Sequence, residues 1–340
     1  MNANVTSGGF QTTVREVGGK LLIVSEVNRY RYGVIVFGFG LVILLGFLGN
    51  GICMYVQIRM MRLEGISSRS FCILCLTLAN LLSILVGATN HWFTQLIPFS
   101  VENYAVWTCK IHYFLTRLMT ESSIWFQVIF SLMRLVAVTW PHKVHLIFSL
   151  RTVKLCTLFA MCFVTASNLP RVLAYEIIQY PGVLRCLIAD NSFAYASTIL
   201  DFFSVLILPD LILFFTTLMV GYELGMAMKT KSSLVHSQFQ SQPEKEMLAE
   251  ESVRGTTRYM FINNFTYIIC YAPALIYKVY EAYSHPFISA LTEDEANFID
   301  FMYRISNLPL YAYHAIYWAF LFTGSKYRHA FSINLICIQL

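Results

Sequence analysis

The chain reads as an all-α membrane protein: a bundle of seven transmembrane helices followed by a short amphipathic helix. Three observations predict it. Hydrophobic residues make up 57% of the 340 positions and charged residues only 13%, about half the charge of an ordinary soluble domain. Seven apolar runs are each long enough to span a bilayer, which takes roughly 20 residues. The basic residues are unevenly shared between the two sides that seven crossings create.

The runs lie at Gly33–Val56, Phe71–Phe93, Tyr104–Thr139, Val153–Ala174, Tyr195–Met228, Tyr259–Tyr283 and Ala296–Phe322. The third and fifth exceed the bilayer thickness and are expected to tilt or project beyond it. The side that holds the C-terminus has fourteen basic residues, Arg59, Arg62, Arg69, Arg134, Lys143, Arg151, Lys154, Lys229, Lys231, Lys245, Arg254, Arg258, Lys326 and Arg328. The other has seven: Arg15, Lys20, Arg29, Arg31, Lys110, Arg171 and Arg185. Positive charge marks the cytoplasmic side, so the N-terminus is expected outside and the C-terminus inside, in the plasma membrane. The organisation is then an extracellular tail over 1–32, the membrane domain over 33–322, and an amphipathic helix with a short cytoplasmic tail over 323–340.

Residues 1–30 lack the basic start and apolar core of a cleavable signal, so the first span is expected to serve as its own anchor. Residues 1–28 read as a mobile tail. Asn4-Val5-Thr6 is a glycosylation sequon on the outer side, whereas Asn264-Phe265-Thr266 lies within a span and out of reach. Cys53, Cys72, Cys75, Cys156, Cys162 and Cys270 fall within spans and are expected to pack as small hydrophobes. No folded basic surface for nucleic acid is visible. Neither a His-Glu-x-x-His metal spacing nor a nucleophile–base set occurs, so no enzyme, metal or cofactor is implied. No internal repeat of the transporter kind is present.

Cys109 and Arg134 stand at opposite ends of the third run, 25 positions apart, or roughly 37 Å along a helix. Their surroundings, Trp107-Thr108-Cys109-Lys110 and Met133-Arg134-Leu135, resemble the third helix of a rhodopsin-like G-protein-coupled receptor. Gly49-Asn50, Leu78-Ala79-Asn80-Leu81-Leu82, Pro209, and Cys270-Tyr271-Ala272-Pro273 are similar to that family's marks on helices one, two, five and six. Gly324-Ser325-Lys326-Tyr327-Arg328 with Phe331 resembles its helix along the inner leaflet. Ser167-Asn168-Leu169-Pro170-Arg171, more weakly supported by Ile305-Ser306-Asn307-Leu308, resembles invertebrate FMRFamide-like peptide receptors. An amine receptor's aspartate would fall at Thr116, and the seventh span lacks a retinal-binding lysine.

The resemblance implies a disulfide from Cys109, for which Cys186 is the other cysteine on the outer side. It implies an extracellular ligand, expected to be a short neuropeptide, and a heterotrimeric G protein meeting Arg134, Leu135 and Pro141. Ile124, Pro209 and Tyr267, with Pro273 kinking the sixth helix, match a packing cluster that rearranges on activation. Three positions depart from the family. Met133 replaces the acid beside Arg134. Asn80 replaces the sodium-binding aspartate above Ser123. The Asn-Pro-x-x-Tyr of the last helix becomes Ile316-Tyr317-Trp318-Ala319-Phe320 in the gapless register, while a shifted register puts Tyr317 at the tyrosine. The departures keep a second reading open, a seven-helix ligand-binding or scavenger protein that does not couple.

Charges inside a membrane are costly and mark function or mutual pairing. Arg117 and Glu121 lie four apart on one helix face, Asp201 near the outer end of the fifth span, Lys278 and Glu281 atop the sixth, and Asp300 and Arg304 four apart on the seventh. With Thr116, Thr120 and Tyr271 they are expected to line a two-signed ligand pocket. Asp201 has no cation three or four residues away and is expected to meet a cationic ligand group.

Overall fold

The computed structural model describes residues 3–7, 10–14, 23–97, 100–180, 183–188, 190–235, 243–284 and 293–321. Seven long helices pack as a bundle. They are α1 (Ile23–Glu64), α2 (Ser68–Ser83, continued to Leu96), α3 (Val106–Thr139), α4 (Leu150–Ala174), α5 (Asn191–Asp201, continued to Val235), α6 (Pro243–Ser284) and α7 (Glu293–Leu321). The first six are long and apolar enough to cross a membrane. The tyrosine-rich α7 closes the ring between α1 and α6. Helix α3 is central, packing on α2, α4 and α5.

Local chemistry sets the helix ends. Gly65, with φ of 83°, stops α1, because glycine takes this left-handed conformation without a steric cost. The hydroxyls of Ser67 and Ser149 and the carboxylate of Asp190 accept from Ser70, Thr152 and Phe193 amides and start α2, α4 and α5. Helix α6 starts on Pro243, where a missing amide costs nothing.

The bundle buries many polar side chains within its apolar core and exposes large apolar ones. Asn50, Asn80, Ser122, Ser123 and His314 are buried, whereas Phe37, Phe159 and Ile276 are exposed. That is the pattern for a lipid solvent, in which side-chain hydrogen bonds and close backbone approach hold helices together. Gly87 sits against the Tyr311 ring and Gly49 against the Trp318 indole; a Cβ at either would overlap its partner.

Helices α2 and α5 each carry a π-helical stretch, Ile84–Ala88 and Phe202–Ile207. The second has an identifiable cause. Pro209 follows it, and a proline within a helix removes an amide and crowds the carbonyl four residues back. That carbonyl belongs to Val205, and the Tyr267 hydroxyl of α6 donates to it.

Two expectations need correction. Helix α1 begins at Ile23, inside the segment read as tail, since no proline or glycine interrupts residues 23–32. Residues Ala3–Ser7 (β1) and Phe10–Val14 (β2) pair as an antiparallel hairpin rather than a mobile tail, being rich in β-branched residues. The polar stretch between the fifth and sixth spans is helical from Pro243 onward, because Glu, Lys, Met, Leu and Ala there are good helix formers. The Asn4 side chain and the helix expected after the last span lie outside the described residues.

The Gly49–Trp318 contact yields a test. Gly49→Ala should lower the melting temperature of detergent-solubilised protein, at a cost of about 1–3 kcal/mol for overpacking. Trimming the partner in Gly49→Ala/Trp318→Leu should recover part of the loss.

Candidate functional site

A second antiparallel hairpin, Tyr175–Tyr180 (β3) and Val183–Ile188 (β4), lies over one end of the bundle. A disulfide between Cys109 and Cys186 ties it to the start of α3, with Cα atoms 5.6 Å apart. The Cys186 amide also donates to Asn103 Oδ1 at 3.0 Å, and Tyr175 stacks on Tyr113 of α3. Beneath the hairpin a cavity of about 1200 Å³, counting its open mouth, is walled by α3, α5, α6 and α7.

The structure brings Thr116, Arg117, Thr120, Glu121, Asp201, Tyr271 and Lys278 onto this wall. Arg117 binds Glu121 at 2.9 Å and pairs with Asp201 across the α3–α5 interface. Asp201 also receives Lys278 of α6 at 3.0 Å and Arg171 of α4 at 2.6 Å. The sequence-based expectation for Asp201 therefore changes. It has no partner on its own helix, yet three cations from three other helices reach it. Glu121 is likewise engaged, accepting from Asn168 Nδ2 at 2.8 Å and lying 3.9 Å from Arg171.

Asp300 and Arg304 are not on the cavity wall. They pair with each other at 2.9 Å, and Arg304 donates to the His91 carbonyl and to Thr94 Oγ1 at 2.6 Å. The pair staples α7 to α2 because Arg304 points between those helices. It is a structural clamp, and its place in the expected pocket is withdrawn.

Sequence reasoning missed Arg171 and Asn168 as site residues. Arg171 counts among the outer-side cations, but its side chain is buried and it donates to Asn168 Oδ1 at 2.8 Å and to the Ser197 carbonyl at 3.2 Å. The available signal was the spacing of three between Asn168 and Arg171, which places both on one helix face. Tyr113 and Tyr303, also on the wall, were missed as well.

Below the cavity, the Tyr271 hydroxyl lies 3.4 Å from His314 Nε2. His314 Nδ1 lies 2.7 Å from Asn80 Oδ1, which also accepts from the Ser123 hydroxyl. Asn50 Nδ2 donates to the His314 carbonyl at 3.1 Å. With Nδ1 protonated, the neutral imidazole donates to Asn80 and accepts from Tyr271, so every contact has a donor and an acceptor. His314 thus joins α1, α2, α3, α6 and α7 at the level where Asn80 replaces an aspartate. No feature of the sequence alone had singled it out.

Ile124, Pro209 and Tyr267 are buried, and Tyr267 packs against Tyr271 with ring centres 4.4 Å apart. Pro273 lies inside α6 just beyond them. At the far end of α3 the Arg134 guanidinium lies over the Phe130 ring at 5.2 Å. Leu135 packs on the core and Pro141 is exposed just past the helix. Met133, at the position where an acid was missing, is buried in the core.

A family model described as 7 transmembrane receptor (rhodopsin family) matches residues 49–316. No curated protein matches the chain. The match spans most of the chain and all seven helices, so the chain belongs to the rhodopsin family of seven-transmembrane receptors. It is a multi-pass membrane protein.

Asp201 is predicted to be structural before it is anything else. Removing one partner of a buried ion pair costs about 3–5 kcal/mol, so Asp201→Asn should lower the melting temperature sharply. Asp300→Asn, at a partly exposed pair, should lower it much less.

Proposed function

We propose that this receptor stands in the plasma membrane with its disulfide end outside and binds an extracellular ligand, a short peptide, in the cavity. Its Arg134 end then meets a heterotrimeric G protein through Arg134, Leu135 and Pro141. The observation that carries the reading is the charged, tyrosine-lined cavity beneath the disulfide-tethered hairpin. Asn168 and Arg171, from the segment that resembles FMRFamide-like peptide receptors, both join the charge network around it. The two-fold excess of basic residues on the Arg134 side supports the orientation, with Asn4 then available for glycosylation.

No bond chemistry is involved. A ligand acts only through different affinities for two arrangements of the bundle. Tyr271 is the wall residue that also touches the polar hub, through His314. It is therefore where a bound ligand reaches the helices that must move. The second reading, a ligand-binding protein that does not couple, draws on the buried Met133 beside Arg134. Ligand-dependent nucleotide exchange on purified G proteins separates the two: exchange supports the receptor, and tight binding without exchange supports the alternative.

Tyr271→Phe removes the hydroxyl and keeps the ring. It should leave peptide affinity within about threefold, since a neutral hydrogen bond contributes about 1 kcal/mol or less, and should reduce maximal nucleotide exchange. Unchanged exchange would remove the hub from the signalling route.

A further inference from the structure

Resting on the cavity reading above, we infer that the cavity receives an anionic oxygen group of the ligand, a carboxylate, and that Lys278 is the residue that binds it. The buried network holds three cations, Arg117, Arg171 and Lys278, against two carboxylates, Glu121 and Asp201. Both carboxylates are covered, with side-chain exposures of 4% and 3%, while Lys278 retains 30%. A ligand cation entering here finds Glu121 and Asp201 already enclosed by arginines. A ligand anion finds an ammonium at the surface.

The donor count agrees. An ammonium has three N–H donors, and Lys278 directs Nζ to Asp201 Oδ2 at 3.0 Å. The remaining two are available on the cavity side. Hydrogen bonds to charged groups are about twice as strong as neutral ones, and low dielectric strengthens them further. Glu281, one turn beyond Lys278, also faces the cavity. The anion is therefore drawn past it toward Lys278 and Arg117 rather than held at the mouth.

The carboxylate has two sources in a peptide, the free C-terminus and an acidic side chain. A set of short synthetic peptides, each made as free acid and as C-terminal amide, with and without one Glu, tells them apart. Binding to the full-length receptor is read by thermal shift and by nucleotide exchange. Terminal recognition predicts that free acids bind about tenfold or more tighter than their amides, and side-chain recognition predicts the same ratio between Glu peptides and their Gln counterparts. Lys278→Gln should abolish whichever preference is found, and Lys278→Arg should retain it. Ala274→Phe fills the cavity without touching a charge and should abolish binding of every peptide.

The outcomes separate the two layers of the argument. If acid, amide, Glu and Gln forms all bind alike while Ala274→Phe still blocks them, the anion assignment falls and the cavity stands. If a preference for the anion survives Lys278→Gln, the anchor is another residue and the inference is overturned. If Ala274→Phe leaves binding intact, the cavity reading itself is wrong, and Lys278 loses its role with it.

Discussion

Asp201 is buried in a membrane bundle with three cations around it, and the disulfide end of the protein is organised by that fact. A lone carboxylate in a low-dielectric interior would be driven to neutralise or to find partners. It finds Arg117, Arg171 and Lys278 on α3, α4 and α6. Four helices are therefore fixed in register by one side chain. Such a cluster is weak support for net stability, because each ion also loses its hydration. Its value is in geometry. The helices can pack in few other ways without leaving a buried charge unpaired, and the cavity that results has its carboxylates turned inward and its ammonium turned out.

At mid-depth the holding device changes from charge to neutral hydrogen bonds. His314, Asn80, Ser123, Asn50 and Tyr271 form one connected set across five helices. The prolines feed into the same layer. Pro209 leaves the Val205 carbonyl without its usual donor, and Tyr267 of α6 supplies one. A defect in one helix thus becomes a tie to its neighbour. Glycines do the complementary work, letting Tyr311 and Trp318 of α7 lie against α2 and α1. These are the means by which helices associate in lipid, where burial of apolar side chains gives little advantage.

What was legible in the chain followed from local pattern. Apolar runs gave the spans, since a lipid-crossing segment must satisfy its backbone within itself. The spacing of four placed Arg117 beside Glu121. The partners of Asp201 were not legible, because they come from three other helices and no spacing along α5 reports them. The same limit misplaced Asp300 and Arg304: the pair is plain at spacing four, but whether it faces the cavity or α2 depends on how α7 is rotated. Arg171 was hidden by its position near a span end, where a cation is ordinarily taken to reach water. Helix ends were the other gap. The start of α6 lies in polar sequence, where hydropathy has nothing to say and only the helix formers after Pro243 carry the signal.

Helix α6 links the two layers. Above Pro273 it is tied to α5 by Lys278 and Asp201; below, by Tyr267 and the Val205 carbonyl. Between them Tyr271 reaches α7 through His314. A proline within a helix removes one rung of its ladder, so the segments on either side are free to change angle at modest cost. In the proposed reading, a ligand carboxylate at Lys278 shares the ammonium that makes the upper tie and leaves the lower one in place. The two halves of α6 then answer to different constraints. The hub around His314 resists a change of angle because its hydrogen bonds join several helices. Tyr271, which belongs to both the cavity wall and the hub, is where the two demands meet.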